Sequence, residues 1–229
     1  MLKRRSLNKL SLLVIVLSTI TIFLITPKKN IKAAIIPHHL VASSFIEDLG
    51  SRLSKNKKIS EVIIIGPNHY EIGDIHLNSS DDITSQDHSC YGPQKVLQKY
   101  LPKTKISCIL VSSRSTLPEL LSMAKKLESQ LGVNGVLVAS IDFSHYQTYS
   151  TASQNDITTQ KYIDNYDKNN LLPLGNSFLD SPRTAILLFD YLNLISITNF
   201  TQVNHSNSAL ILSDLTIPST TSYFEYIYF

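Results

Sequence analysis

Residues 61–65 read E-V-I-I-I and run directly into G-P-N-H at 66–69. A strand with one wet face alternates apolar and polar residues. An unbroken apolar run instead reads as a strand covered on both faces, the signature of a parallel sheet between two layers of helix. Working outward, K-I-S-C-I-L-V at 105–111 and G-V-L-V-A-S-I at 135–141 are runs of the same kind, and A-A-I-I at 33–36 is a shorter one. Between the first two of these, residues 117–131 set Leu117, Leu120, Leu121, Ala124, Leu127 and Leu131 at helical spacing. Further helices are expected over 41–53, about 151–166 and 182–192. Residues 196–203, 209–215 and 223–229 are β-rich and are expected to extend the sheet as antiparallel or mixed strands. No internal repeat or linker interrupts the body. The expected fold class is α/β: a single domain over 33–229 with a mostly parallel or mixed central sheet flanked by helices, preceded by an N-terminal hydrophobic segment over 1–32.

The chain has 229 residues, 43% hydrophobic and 17% charged, with seven Gly and nine Pro, which excludes disorder, collagen and a coiled coil. Its net charge of +3 is unevenly placed. Seven of the 21 Lys and Arg precede Ala33 and none of the 18 acids does, so the body is slightly acidic. Nucleic acid is therefore not an expected partner, since phosphate backbones are bound by clustered Lys and Arg. Residues 10–26 carry no charge and are mostly large and aliphatic. That length is short for a membrane span and long for a signal-peptide core. The following I-K-A-A at 31–34 is a poor small-x-small cleavage site, so the segment reads as a membrane anchor in preference to a removed signal. The body is expected outside the cytoplasm, anchored, or secreted if the segment is cleaved. With only Cys90 and Cys108, a disulfide-dense scaffold and a multi-cysteine zinc module are excluded, and one optional disulfide remains.

Seven histidines lie in the body. His38 follows A-A-I-I-P, His69 follows V-I-I-I-G-P-N and His145 follows V-L-V-A-S-I-D-F-S, each just beyond the C-terminal end of an expected strand. In open α/β sheets that edge binds ligands. Asp142 leaves the same strand end as His145, and D-H-S (Asp87, His88, Ser89) falls in the loop region after His69. His39, His76 and His205 lack such placement and are expected to be surface or structural residues. Two or three imidazoles with a carboxylate or thiolate make a usual first shell for a transition metal. The same groups can also act as acid and base without one. Phosphate-binding G-x-G-x-x-G and G-x-x-x-x-G-K-[ST] loops and a G-x-S-x-G nucleophile elbow are all absent.

The series I-I-P-H (35–38), I-I-I-G-P-N-H-Y (63–70), D-H-S (87–89) and S-I-D-F-S-H-Y (140–146), in that order, resembles the Memo-like family, also called AmmeMemoRadiSam system protein B. The family's motifs look like P-H-A-G-Y, L-G-P-N-H, E-H-S-x-E and S-S-D-F-S-H-Y. The resemblance implies an α/β fold related to the class III extradiol dioxygenases, with a metal at the strand ends. By motif it implies His38 and His69 as metal ligands, His145 as the acid/base histidine, and Asp142 and His88 lining the pocket as further candidate catalytic residues. The departures are P-H-H-L-V at 37–41, D-H-S-C-Y at 87–91, and Ser181-Pro182-Arg183 where the family has a ligand cysteine before Gly-Arg. A hydroxyl is a far weaker ligand than a thiolate. The metal is then held more weakly, given another ligand such as His88 or Cys90, or lost.

The expected cofactor is a transition metal ion, iron before copper or zinc. The expected activity is that of a metal-dependent oxidoreductase acting on a small molecule. The alternative is a non-catalytic binding or scaffold protein that keeps the fold and the pocket, for a ligand or a protein partner, without the metal chemistry. The short Pro-led loops bearing His38 and His69 suit ligands, whereas D-F-S-H sets Asp142 three residues before His145 and suits a proton carrier oriented by that acid. For the N-terminal segment, mass spectrometry of the mature protein is expected to find residues 10–26 retained. A mature chain beginning at Ala33 or Ala34 would mean a cleaved signal.

Overall fold

The computed structural model describes residues 30–71, 77–79 and 84–229. The expected anchor, save residues 30–32, and His76 lie outside them. Residues Ile31–Phe229 form one compact unit. Among the described residues no helix is long and apolar enough to cross a membrane.

In chain order the elements are β1 (Ala33–Ile36), a 3-10 turn (Leu40–Ala42), α1 (Ser43–Ser54), β2 (Glu61–Pro67), β3 (Leu77–Asn78), α2 (His88–Tyr100), β4 (Lys105–Val111), α3 (Leu117–Leu131), β5 (Gly135–Ser140), β6 (His145–Gln147), α4 (Tyr149–Asp164), α5 (Lys168–Leu171), α6 (Pro182–Leu194), β7 (Phe200–Asn207), α7 (Ser208–Ile211) and β8 (Thr220–Tyr228). The sheet runs β3-β4-β2-β5-β1-β8-β6, and β7 pairs with β8. The four strands β4, β2, β5 and β1 are mutually parallel. The pairs β3/β4, β1/β8, β6/β8 and β7/β8 are antiparallel. This is a mixed sheet in a single α/β domain.

The unbroken apolar runs are buried on both faces. Alternate residues Ile35, Ile63, Ile65, Leu137 and Ala139 join one core with Leu120, Ala124 and Leu127 of α3 and most of α6. Their neighbours Ala34, Ile36, Val62, Ile64 and Val138 join the other with Ile46 and Leu49 of α1 and Val96 and Leu97 of α2. Helix α3 begins at a capping box in which Thr116 and Glu119 each satisfy the other's backbone N–H. Leu117 and Leu121 stay exposed at the margin of the stripe expected to be apolar.

Three expectations need correction. His88 lies in a helix rather than a loop: α2 starts at an Asp87 N-cap whose carboxylate accepts from the Ser89 N–H. Residues 209–215 hold the short α7 and turns instead of a strand, because polar side chains bond the nearby backbone. Asn207 accepts from the Ala209 N–H and Asp214 from the Thr216 N–H. The strand expected at 196–203 is shifted to Phe200–Asn207. Cys90 and Cys108 form a disulfide between α2 and β4 inside the second core. Chain-entropy arguments give such a link, closing an 18-residue separation, about 3 kcal/mol of stabilisation.

One buried acid titrates apart from the histidines. Glu225 of β8 is fully buried, accepts from Asn204 Nδ2 at 2.5 Å, and faces Asp48, which is paired with Arg52 across one turn of α1. Burial, with the negative charge of Asp48, raises its pKa from 4.5 to about 7 against the opposing pull of Asn204 and Arg52. The folded state therefore binds this proton more tightly than the unfolded chain, so its stabilisation is complete below pH 4.5 and is lost as pH rises through about 7. Replacing Glu225→Gln should leave stability unchanged at pH 4.5 and raise it at pH 8. Urea unfolding at both pH values checks it, and an equal effect at the two would rule out the titration.

Candidate metal centre

Because β1, β2 and β5 run in parallel with their ends level, Ile36 beside Ser140 and Ile65 beside Ala139, their C-terminal loops leave one edge together. The β1 loop supplies His38 and His39, the β2 loop His69, and the β5 loop Asp142 and His145. The N-terminus of α2 adds Asp87 and His88, and the residue before the α6 N-cap adds Asp180.

Ligand nitrogens of His38, His69 and His88 all lie within 4.8 Å of one another. The His69 and His88 rings stack at 4.2 Å between centroids, and His38 meets each edge-on at 5.0 Å. Asp180 Oδ2 faces this group, 3.3 Å from His38 Nε2, 3.8 Å from His69 Nε2 and 4.0 Å from His145 Nε2. Among the described residues, His38 Nε2, His145 Nε2 and Asp180 Oδ1 are buried without a hydrogen-bond partner. Unpartnered buried polar atoms are costly. Unpartnered nitrogens of His38 and His145 on either side of one carboxylate fit a cation, for which neutral imidazoles and a carboxylate are the matching donors.

The surroundings orient these donors. Asp87 receives the His69 N–H at 2.8 Å and sits 2.8 Å from His69 Nδ1, so Nδ1 keeps its proton and a metal would displace the one on Nε2. Burial raises the Asp87 pKa, but contact with His69 and the Ser89 N–H outweighs it and brings the carboxyl to about 2. In His69, burial lowers the pKa, yet Asp180 and Asp87 together raise it to about 9. His88 is driven the other way, to about 4, first by burial and then by the charges of His69 and His38. Asp142 accepts the His38 N–H at 3.0 Å, lies 3.5 Å from His38 Nε2 and contacts His39 Nδ1 at 2.5 Å. Burial opposes ionisation of Asp142, but His38 and His39 hold its pKa below the usual carboxylate range. The same contact raises His39. Burial lowers His145, whose Nδ1 is 3.4 Å from Thr221 Oγ1.

The structure thus brings His38, His69, His88, Asp142 and His145 into one cluster. It also reassigns some partners. Asp142 contacts His38 and His39, and the carboxylate oxygen within 4.0 Å of His145 Nε2 belongs to Asp180. Ser181 is occupied as the α6 N-cap, accepting from the Thr184 N–H at 3.2 Å and bonded to Thr184 Oγ1 at 2.6 Å. Cys90 is no available ligand, because its sulfur is bonded to Cys108. His39, expected to be a surface or structural residue, packs 5.7 Å from His145 between ring centroids with 40% of its side chain exposed. His205 stays outside, stacked on Phe224 and paired with Asp156. Sequence reasoning missed His39 and Asp180. The signal for Asp180 was an acid immediately before Ser-Pro at a helix start.

No known protein family and no curated protein matches this chain. Among solved structures, an uncharacterized protein from Escherichia coli is similar, with a TM-score of 0.50 and 12% identity over 86% of this chain and 99% of that one. This is a likeness of fold.

Gly66 places the β2 loop against α2. A Cβ at Gly66 would lie 2.7 Å from Ser89 Oγ and 2.9 Å from Ser89 Cβ, and Ser89 Oγ itself donates to the Pro67 carbonyl at 2.8 Å. Gly66→Ala should therefore push α2 outward and separate His88 from His69, lowering stability by about 1–3 kcal/mol. Thermal unfolding checks the stability loss, and an unaltered melting temperature would show that the approach is not tight.

Proposed function

We propose that this chain is a Memo-like protein, of the kind called AmmeMemoRadiSam system protein B, and that it binds a transition metal ion, iron before copper or zinc, for oxidoreductase chemistry on a small molecule. The observation that carries the reading is the grouping of His38, His69 and His88 at the parallel strand ends, with the buried carboxylate of Asp180 beside His38 and His69. The order of the I-I-P-H, G-P-N-H-Y, D-H-S and D-F-S-H-Y motifs supports the family assignment. The Cys90–Cys108 disulfide supports a body outside the cytoplasm, where oxidation is favoured, anchored through the N-terminal segment.

His38 and His69 would hold the metal, with Asp180 supplying the anionic donor that Ser181 cannot, and His88, kept neutral by its lowered pKa of about 4, available as a further donor. The metal, when bound, would supply Lewis-acid polarisation and, as iron or copper, redox capacity. Asp87 fixes the His69 tautomer, and Ser140 Oγ stands 3.4 Å from His38 Nδ1. His145, buried and shifted toward its neutral form, accepts a proton at Nε2, where Asp180 steadies the resulting charge. The rival reading, a binding or scaffold protein without metal chemistry, is favoured by the committed Ser181 hydroxyl and is separated by metal content.

Full-length protein offered ferrous iron, copper or zinc should retain one equivalent after desalting, by elemental mass spectrometry. Its unfolding free energy should rise by about 2.7 kcal/mol at a free metal concentration a hundred times Kd. His38→Ala and His69→Ala should abolish uptake, while His145→Ala should leave affinity within about tenfold. No stoichiometric metal together with no thermal gain would hand the site to the scaffold reading. Loss of metal in His145→Ala as complete as in His38→Ala would place His145 among the ligands.

A further inference from the structure

A cavity of about 210 Å3 opens beside the histidine cluster, sharing His69 and Asp180 with it. At about 30 Å3 per water it has room for roughly seven water volumes, a small-molecule space. Pro67, Val111 and Pro182 give it apolar walls, and Arg183, at the second position of α6, contributes a guanidinium. Arg183 Nε donates to the Ser115 carbonyl at 2.8 Å, which fixes the plane of the group. Its Nη donors find no acceptor among the described residues. A second acid on the wall, Glu71, is already engaged: it accepts from the Ser113 N–H at 2.9 Å and from the Ser112 and Ser113 hydroxyls, and lies 3.4 Å from Arg114 Nε.

A fixed guanidinium with unused Nη donors is the group that recognises a planar oxyanion through two parallel hydrogen bonds. Apolar walls favour a ligand with a carbon body over a free inorganic ion. The carboxylates of Glu71 and Asp180 on the same walls disfavour a second negative charge. We propose that this cavity is the subsite for a small monocarboxylate, its carboxylate held by Arg183, its body between Pro67, Val111 and Pro182, and its far end against His69 and Asp180. The assignment of that far end rests on the metal-site reading; the carboxylate subsite itself does not.

Full-length protein without added metal is titrated by calorimetry with benzoate, with benzamide as the neutral molecule of the same shape, and with inorganic phosphate. Benzoate should bind at least about tenfold more tightly than benzamide, the scale of a charge-assisted pair. Arg183→Gln should abolish the preference and Arg183→Lys should restore it in part. Equal binding of benzoate and benzamide, or tighter binding of phosphate, overturns the proposal on the unaltered chain, whatever the variants do to folding. Discrimination in a protein that takes up no metal would leave the subsite standing and remove the metal reading. Metal uptake without discrimination would do the reverse.

Discussion

Parallel pairing with level strand ends is the constraint on which this molecule depends. In an antiparallel pair neighbouring strands deliver their loops to opposite edges, whereas β1, β5 and β2 deliver theirs to the same one. Three segments far apart in sequence thereby meet without any long side chain reaching across. Burial of those strands on both faces makes the arrangement stiff, since a one-residue slip of β2 would exchange the residues of the two cores. The histidines inherit their positions from apolar residues that touch none of them.

The legible parts of the sequence were those in which one physical pattern dominated. The runs at 61–65 and 105–111 have no alternation, and residues 117–131 have one periodicity, so the apolar pattern alone identifies them. Helix α2 was illegible because H-S-C-Y-G-P-Q-K-V-L-Q-K-Y carries Gly92 and Pro93 in its interior and few apolar residues. Its position is instead secured by the Asp87 cap, the disulfide and the close approach of Gly66 to Ser89, all of which depend on tertiary proximity. The same holds for the site. Histidines at strand ends could be read from position, whereas Asp180 belongs to a loop whose path is fixed by the bond from its own N–H to the Asp142 carbonyl and by the β-bridge between Phe143 and Leu179.

The cluster separates like groups by their surroundings. His69 and His88 stack face to face, yet one is driven to about 9 and the other to about 4. The difference lies in acid placement: Asp87 and Asp180 bracket the two nitrogens of His69, while among the described residues His88 has the same Asp87 oxygen at the longer distance of 3.8 Å. A charged imidazole against a neutral one is a compatible pair; two charged ones in that contact would repel.

Strand β8 joins its residue Tyr226 to Ile35 of β1, so the first and last strands of the body are neighbours. Along a chain emerging N-terminus first, β1 can pair with β5 only after Gly135 has been made, and its other edge stays open until nearly the whole body exists. Contacts of such long sequence separation close slowly and leave an unpaired edge exposed meanwhile. Until Tyr226 has been made, the outer edge of β1 has no strand to pair with, and the sheet cannot close on that side.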